Sequence, residues 1–248
     1  MLVRCGSAAR MAEGRHGSET LLAWAIHGLT ASGAVLALLA VAAVADGRWR
    51  EALLWLLAAL VIDGIDGTLA RAVEVRQRLP NIDGTALDLV VDYLTYVFVP
   101  AWMLWRIGAF PAAVEVPLVA VILVSSLYTF VRRDMKTDDG YFRGFPALWN
   151  IFALYAYGAA PPPWLAATLA AVLVVMTFAP IYVVHPFRVH DFQPWLTITN
   201  LLWMISTVLM LLPLALPWPK LGTALSLVSA AVLVAMGLAR SLRRRPAQ

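Results

Sequence analysis

A chain of 248 residues that is 61% hydrophobic and only 14% charged, with a mean hydropathy of +0.77, is too apolar for a soluble globular domain, where about a quarter of residues carry charge. The net charge of +4 and pI near 9.5 do not indicate a nucleic-acid binder, because the basic residues stand at the ends of long apolar runs, where anionic lipid headgroups are the fitting partners. The single cysteine, Cys5, excludes an intramolecular disulfide and a cysteine-only metal site.

In chain order, residues 1–20 are small, polar and basic (Arg4, Arg10, Arg15) and read as a mobile cytoplasmic tail with a short helix near Leu21. The apolar run that follows can span a bilayer and lacks a convincing small-residue cleavage site, so no cleavable signal is expected. Eight spans are predicted, at roughly 21–45, 51–72, 84–107, 113–133, 146–160, 163–184, 195–214 and 221–241, the fifth being short. Residues 21–241 then form a single transmembrane domain and 242–248 a basic tail. The expected fold is an all-α integral membrane protein whose helices surround a cytoplasm-facing polar cavity. No separate soluble domain fits, since the only sizeable hydrophilic connectors are 72–83 and 134–145.

Positive charge sets the expected orientation. The loops after spans two, four and six carry Arg71, Arg76, Arg78, Arg132, Arg133, Lys136, Arg143 and Arg188, and the tail carries Arg240 and Arg243 to Arg245. Those sides read as cytoplasmic, with both termini inside, and the opposite loops hold mainly Arg48, Arg50, Arg106 and Lys220.

Spans two and three carry the chemistry. Asp63 and Asp66 are three residues apart and Asp88 and Asp92 four apart, helical steps of about 300° and 400°, so each pair lies on one helix face. If Arg71 and Gly84 mark the membrane-facing ends of an antiparallel pair, Asp63 and Asp92 each lie roughly 12 Å inward and the four acids meet. An ionised Asp at a helix centre in lipid costs about 2.5–3.5 kcal/mol on insertion scales, so the cluster requires a counter-charge. Divalent cations with hard oxygen ligands supply one, Mg²⁺ and Mn²⁺ being suited to carboxylates, waters and phosphate oxygens together. An ion or proton path through a transporter is the competing reading of the acids alone. Asp83, beside the start of span three, reads as a helix cap.

The stretch Asp63, Asp66-Gly67, Ala70-Arg71, Gly84, Asp88 and Asp92 resembles the signature of the CDP-alcohol phosphotransferase family: Asp, two residues, Asp-Gly, two residues, Ala-Arg, a spacer, Gly, three residues, Asp, three residues, Asp. Twelve residues separate Arg71 from Gly84, and this longer form is similar to the bacterial branch whose acceptor alcohol is choline. The resemblance implies that choline attacks the lipid-side phosphorus of CDP-diacylglycerol at the bacterial inner membrane and releases CMP. It also implies Mn²⁺ or Mg²⁺, as two ions, on Asp63, Asp66, Asp88 and Asp92, with Asp92 doubling as general base. Asp66, Gly67, Ala70, Arg71 and Gly84 match the nucleotide-binding positions, the glycines admitting a nucleotide or phosphate close to the helix backbone.

Other residues join this reading. Arg132 and Arg133 suit the lipid pyrophosphate through their forked donors, and equally serve as topology signals. Choline's quaternary ammonium calls for aromatic faces, for which Tyr93, Tyr96, Tyr128, Trp149 and Tyr155 are candidates. Asn150 is a further polar residue for the cavity. His27, alone in span one, reads as a packing histidine, and the patch of His185, Arg188 and His190 as a structural loop. Spans seven and eight hold no catalytic acid and are expected to pack, contact lipid or form a homodimer.

Overall fold

The computed structural model describes residues 3–135, 137, 140–184, 193–215 and 217–243. Lys136, His185, Arg188, His190, Arg244 and Arg245, all invoked above, lie outside the described residues. Among the described residues, four helical segments are long and apolar enough to cross a membrane: Glu19–Ala45, Trp49–Ala72, Gly84–Arg106 and Trp218–Ala239.

The first belongs to α1 (Val3–Ala45), whose backbone is helical through most of the expected tail. The hairpin partner α2 (Trp49–Ala72) places Glu51 in its first turn and Arg71 in its last, the arrangement the helix dipole favours. The spacer contains a short helix, α3 (Val75–Arg78). Val75 packs against Ala23 and Ile26 of α1, with Ala70 and Leu79 around them, and Arg78 forms an ion pair with Glu19. The spacer is thereby folded onto α1.

Span three is a composite. α4 (Gly84–Asp92) is capped by Asp83, whose carboxylate accepts hydrogen bonds from the Thr85 and Ala86 amides at 3.1 and 3.0 Å, as its position suggested. A π-helical turn over Tyr93–Phe98 follows, then α5 (Val99–Arg106). Pro100 supplies the local cause: it cannot donate to the carbonyl four residues back and its ring crowds that group, so the preceding turn widens.

The remaining predicted spans contain α6 (Glu115–Val131), α7 (Trp149–Gly158), α8 (Pro163–Phe178), α9 (Trp195–Leu211) and α10 (Trp218–Arg243). α6, α8 and α9 have 17, 16 and 17 residues, about 24–26 Å at the helical rise, and α7 has only ten. The predicted sixth span, 163–184, is too long as a helix. Pro180 disfavours helical backbone at Ala179, which is extended, and β2 (Tyr182–Val184) then pairs antiparallel with β1 (Tyr141–Arg143). Among the described residues, these two short strands depart from an all-α description.

The main core joins α1, α2, the π turn and α5 to α9 through residues such as Leu53, Val97, Met103, Ile122 and Trp149. Large apolar side chains outside it, among them Leu38, Val124, Val175, Leu201 and Val228, are exposed on the bundle's outer surface, as lipid contact requires. α1 and α4 run parallel and approach closely: a Cβ at Gly33 would lie 2.5 Å from Val91 Cγ1. On the other side of the molecule α10 lies on α9, where a Cβ at Gly222 would lie 2.6 Å from the Met210 amide nitrogen.

Candidate metal and substrate site

Asp63 of α2 and Asp88 and Asp92 of α4 each present a carboxylate oxygen, and the three oxygens lie within 4.8 Å of one another. The four-residue spacing carries Asp88 and Asp92 to the same face, and the close packing around α1 sets that face against Asp63. Carboxylates this close repel by roughly 4 kcal/mol per pair at an effective dielectric near 20, so the arrangement suits a divalent cation with oxygen ligands. The group could hold a metal ion.

Asp66 is not one of these three. It is 3% exposed, and its Oδ2 accepts a 2.5 Å hydrogen bond from the Thr30 hydroxyl of α1, so three of the four predicted acids form the cluster and the fourth stands against α1. Tyr96, in the π turn, is also buried and donates its hydroxyl to Asp63 Oδ2 at 2.7 Å. Tyr96 is thereby bonded to the acidic cluster.

The other four aromatic candidates are engaged elsewhere. Tyr93 donates to the Leu123 carbonyl at 3.0 Å and meets Phe130 edge-on. Tyr128 stacks on Phe178 with ring centres 4.9 Å apart, and Trp149 is fully buried, its indole N–H donating to Ser126 at 2.8 Å. Tyr155 accepts from the Trp203 indole at 2.8 Å and donates to the Ser226 carbonyl at 3.0 Å, tying α7 to α9 and α10. Asn150 is buried and accepts from the Ile151 amide.

Among the motif's other positions, Arg71 is exposed and donates to Thr68 at 3.1 Å. A Cβ at Gly67 would meet only Arg71 Nη1, at an ordinary 3.5 Å, so this glycine faces open ground beside the guanidinium. Gly84 differs, because the space its missing side chain leaves is taken by the His27 ring, 2.6 Å from an ideal Cβ at Cε1. Ala70 packs toward Ala23 and Ile26.

Arg132 grips Asp134 with two hydrogen bonds of 2.8 Å and reaches the Arg143 carbonyl at 3.4 Å, while Arg133 is exposed. The Arg132 guanidinium holds the Asp134 carboxyl down at about 2. The Arg132 side chain also lies over the Tyr128 ring, 5.3 Å from its centre.

Sequence reasoning missed Thr30 and the bonding role of Tyr96. A signal for Thr30 existed in its spacing, since His27 and Thr30 are three apart and share a face of the first predicted span. Pro100 was the signal for the π turn that carries Tyr96.

No protein-family model matches the chain. The curated proteins do: a phosphatidylcholine synthase of Pseudomonas aeruginosa is 47% identical over 189 residues, 76% of this chain and 79% of that protein. One of Bradyrhizobium diazoefficiens is 44% identical over 188 residues, 75% and 70% of the two chains, and one of Rhizobium johnstonii is 38% identical over 217 residues, 87% and 88%. Identity of this extent, across chains of matching length and with the Asp63–Asp92 signature intact, means that this chain belongs to the phosphatidylcholine synthase branch of the CDP-alcohol phosphotransferase family.

Proposed function

We propose that this chain is a CDP-diacylglycerol–choline phosphatidyltransferase of the bacterial inner membrane, making phosphatidylcholine and CMP. The observation that carries the reading is the convergence of the Asp63, Asp88 and Asp92 carboxylates in a chain with phosphatidylcholine synthase relatives over most of its length. The choline oxygen bonds to the lipid-side phosphorus, the bond from that phosphorus to the bridging pyrophosphate oxygen breaks, and CMP leaves with that oxygen.

Asp92 takes the hydroxyl proton, and its neighbours Asp63 and Asp88 complete the metal-binding set with Asp66. Held by these carboxylates, Mn²⁺ or Mg²⁺, as two ions, would neutralise the pyrophosphate and the charge growing on CMP. Tyr96 keeps Asp63 oriented and is the aromatic residue offered to choline at the cluster. Asp66, Gly67, Ala70 and Arg71 bind the nucleotide, and Arg132 and Arg133 face lipid phosphate at the same membrane side. Both termini and the site lie on the cytoplasmic side, as the distribution of Arg and Lys supports. Residues 21–241 are the catalytic domain, flanked by an N-terminal and a basic C-terminal tail. A homodimer is part of the reading without a contact assigned to it.

The test is CMP release by protein purified in detergent with CDP-diacylglycerol and Mn²⁺. The expected result is release that depends on choline and is matched by phosphatidylcholine. Release with serine, inositol phosphate or glycerol phosphate instead keeps the chemistry and replaces the acceptor. Solute movement across vesicles with no CMP release replaces the enzyme with a transporter.

A further inference from the structure

The ring of His27 occupies the place a side chain at Gly84 would take, with Nδ1 3.4 Å and Nε2 3.7 Å from an ideal Cβ there. The motif glycine at the start of α4 therefore admits part of this protein, an imidazole from α1. Its Nε2 is buried and has no hydrogen-bond partner among the described residues. Native proteins leave few buried polar atoms in that state, and those they leave call for a specific explanation such as a binding or catalytic role. One turn along the same face of α1, Thr30 holds Asp66. Two polar side chains of this span, His27 and Thr30, are thus both applied to the Asp63–Asp92 signature, one bonded within the protein and one without a partner among the described residues.

We propose that His27 is a nucleotide contact, its Nε2 completing its hydrogen bonding on an oxygen of the cytidine diphosphate part of the substrate. The inference rests on the CDP-diacylglycerol reading given above. A neutral imidazole offers one N–H donor and one acceptor nitrogen, and the ribose and phosphate oxygens of a nucleoside diphosphate accept such a donor. α1 becomes the third wall of the nucleotide site, beside α2 and α4, although it lies outside the signature. Gly84 serves this wall indirectly, by making room for the ring.

The experiment measures CDP binding by calorimetry, with Mn²⁺ present, on the full chain in detergent. Wild type is compared with His27→Phe, which keeps a ring without nitrogen, and His27→Gln, whose amide restores a polar group near Nε2. His27→Phe is expected to weaken CDP binding by about tenfold or more, with His27→Gln within about threefold of wild type. The melting temperature of the nucleotide-free His27→Phe protein is expected to equal or exceed wild type, since the substitution removes an unsatisfied buried atom. Unchanged CDP affinity in His27→Phe would overturn the proposal, as would lower melting temperatures in both variants with equal losses of affinity.

Should His27→Phe not fold, the ¹⁵N resonance of His27 Nε2 in the wild-type protein decides, shifting on addition of CDP if the contact forms and staying fixed if it does not. Failure of wild type itself to bind CDP would overturn the substrate assignment and this inference with it.

Discussion

Two polar regions lie inside this apolar bundle and are built on opposite plans. Between α7, α9 and α10, Tyr155, Trp203, Thr207 and Ser226 satisfy one another: the indole donates to the phenol, the phenol to the Ser226 carbonyl, and the Thr207 and Ser226 hydroxyls lie 3.0 Å apart. Between α1, α2 and α4 three carboxylates crowd together and a histidine nitrogen is buried without a partner among the described residues. Hydrogen bonding closed on itself joins helices in a membrane. Crowded like charges in a membrane suit a counter-charge that arrives from outside. The difference separates scaffold from site more sharply than composition does, since both regions mix aromatic and polar residues.

The comparison can be broken most severely by removing divalent metal. Chelation is expected to abolish CMP release and added Mn²⁺ or Mg²⁺ to restore it; full activity after exhaustive chelation would remove the reason for the crowded acids. Next comes Asp92→Asn, expected to lower turnover by about 10²–10⁴-fold with nucleotide binding and folding retained, as stopped-time CMP assays and a CDP titration would report. Near-normal turnover would take the base role from Asp92.

Tyr96→Phe removes the donor to Asp63 and is expected to cost about 10–100-fold in metal affinity or activity, measured as the Mn²⁺ concentration for half-maximal rate. Tyr155→Phe sharpens the contrast from the other side. It is expected to lower stability by about 1 kcal/mol and leave the rate within twofold, and a large rate loss at unchanged stability would move Tyr155 into the site.

The smallest effect belongs to Asp134, whose carboxyl is held at about 2 by Arg132. A folded-state value below the unfolded one means that the pair's stabilisation is present above about pH 4 and is lost as pH falls toward 2. The melting temperature of wild type minus that of Asp134→Asn is therefore expected to be constant from about pH 5 to 8 and to shrink only in acid.

Much of the acidic cluster was legible because it depends on local periodicity. Asp88 and Asp92 share a face through their four-residue spacing, and the equal eight-residue offsets of Asp63 and Asp92 bring the second helix into register. Asp66 was legible as an inward-facing acid, but its hydrogen bond to Thr30 joins it to a different helix. The same holds for His27: nothing in its own neighbourhood reveals that Gly84 receives its ring.

Aromatic residues were the least legible, because an aromatic beside an apolar run has the same local pattern whether it fills a core, as Trp149 does, bridges helices, as Tyr155 does, or bonds to a carboxylate, as Tyr96 does. Pro180 marks the end of α8, but the predicted sixth span, 163–184, runs past it. Ala179-Pro180 stopped α8 short and freed residues 182–184 to pair with 141–143. The spacer's twelve residues were visible as an unusual length, yet the docking of Val75 against Ala23 and Ile26 needed the third dimension.

The central claim is that Asp63, Asp88 and Asp92 form a metal centre. The most direct test is an electron paramagnetic resonance titration of the purified, detergent-solubilised protein with Mn²⁺, beside Asp88→Asn and the Asp63→Asn/Asp88→Asn/Asp92→Asn variant. Saturable Mn²⁺ binding in wild type, weakened in the single variant and absent in the triple variant at an equal or higher melting temperature, is the predicted result. The same Mn²⁺ binding in wild type and the triple variant, with both proteins folded, would contradict it.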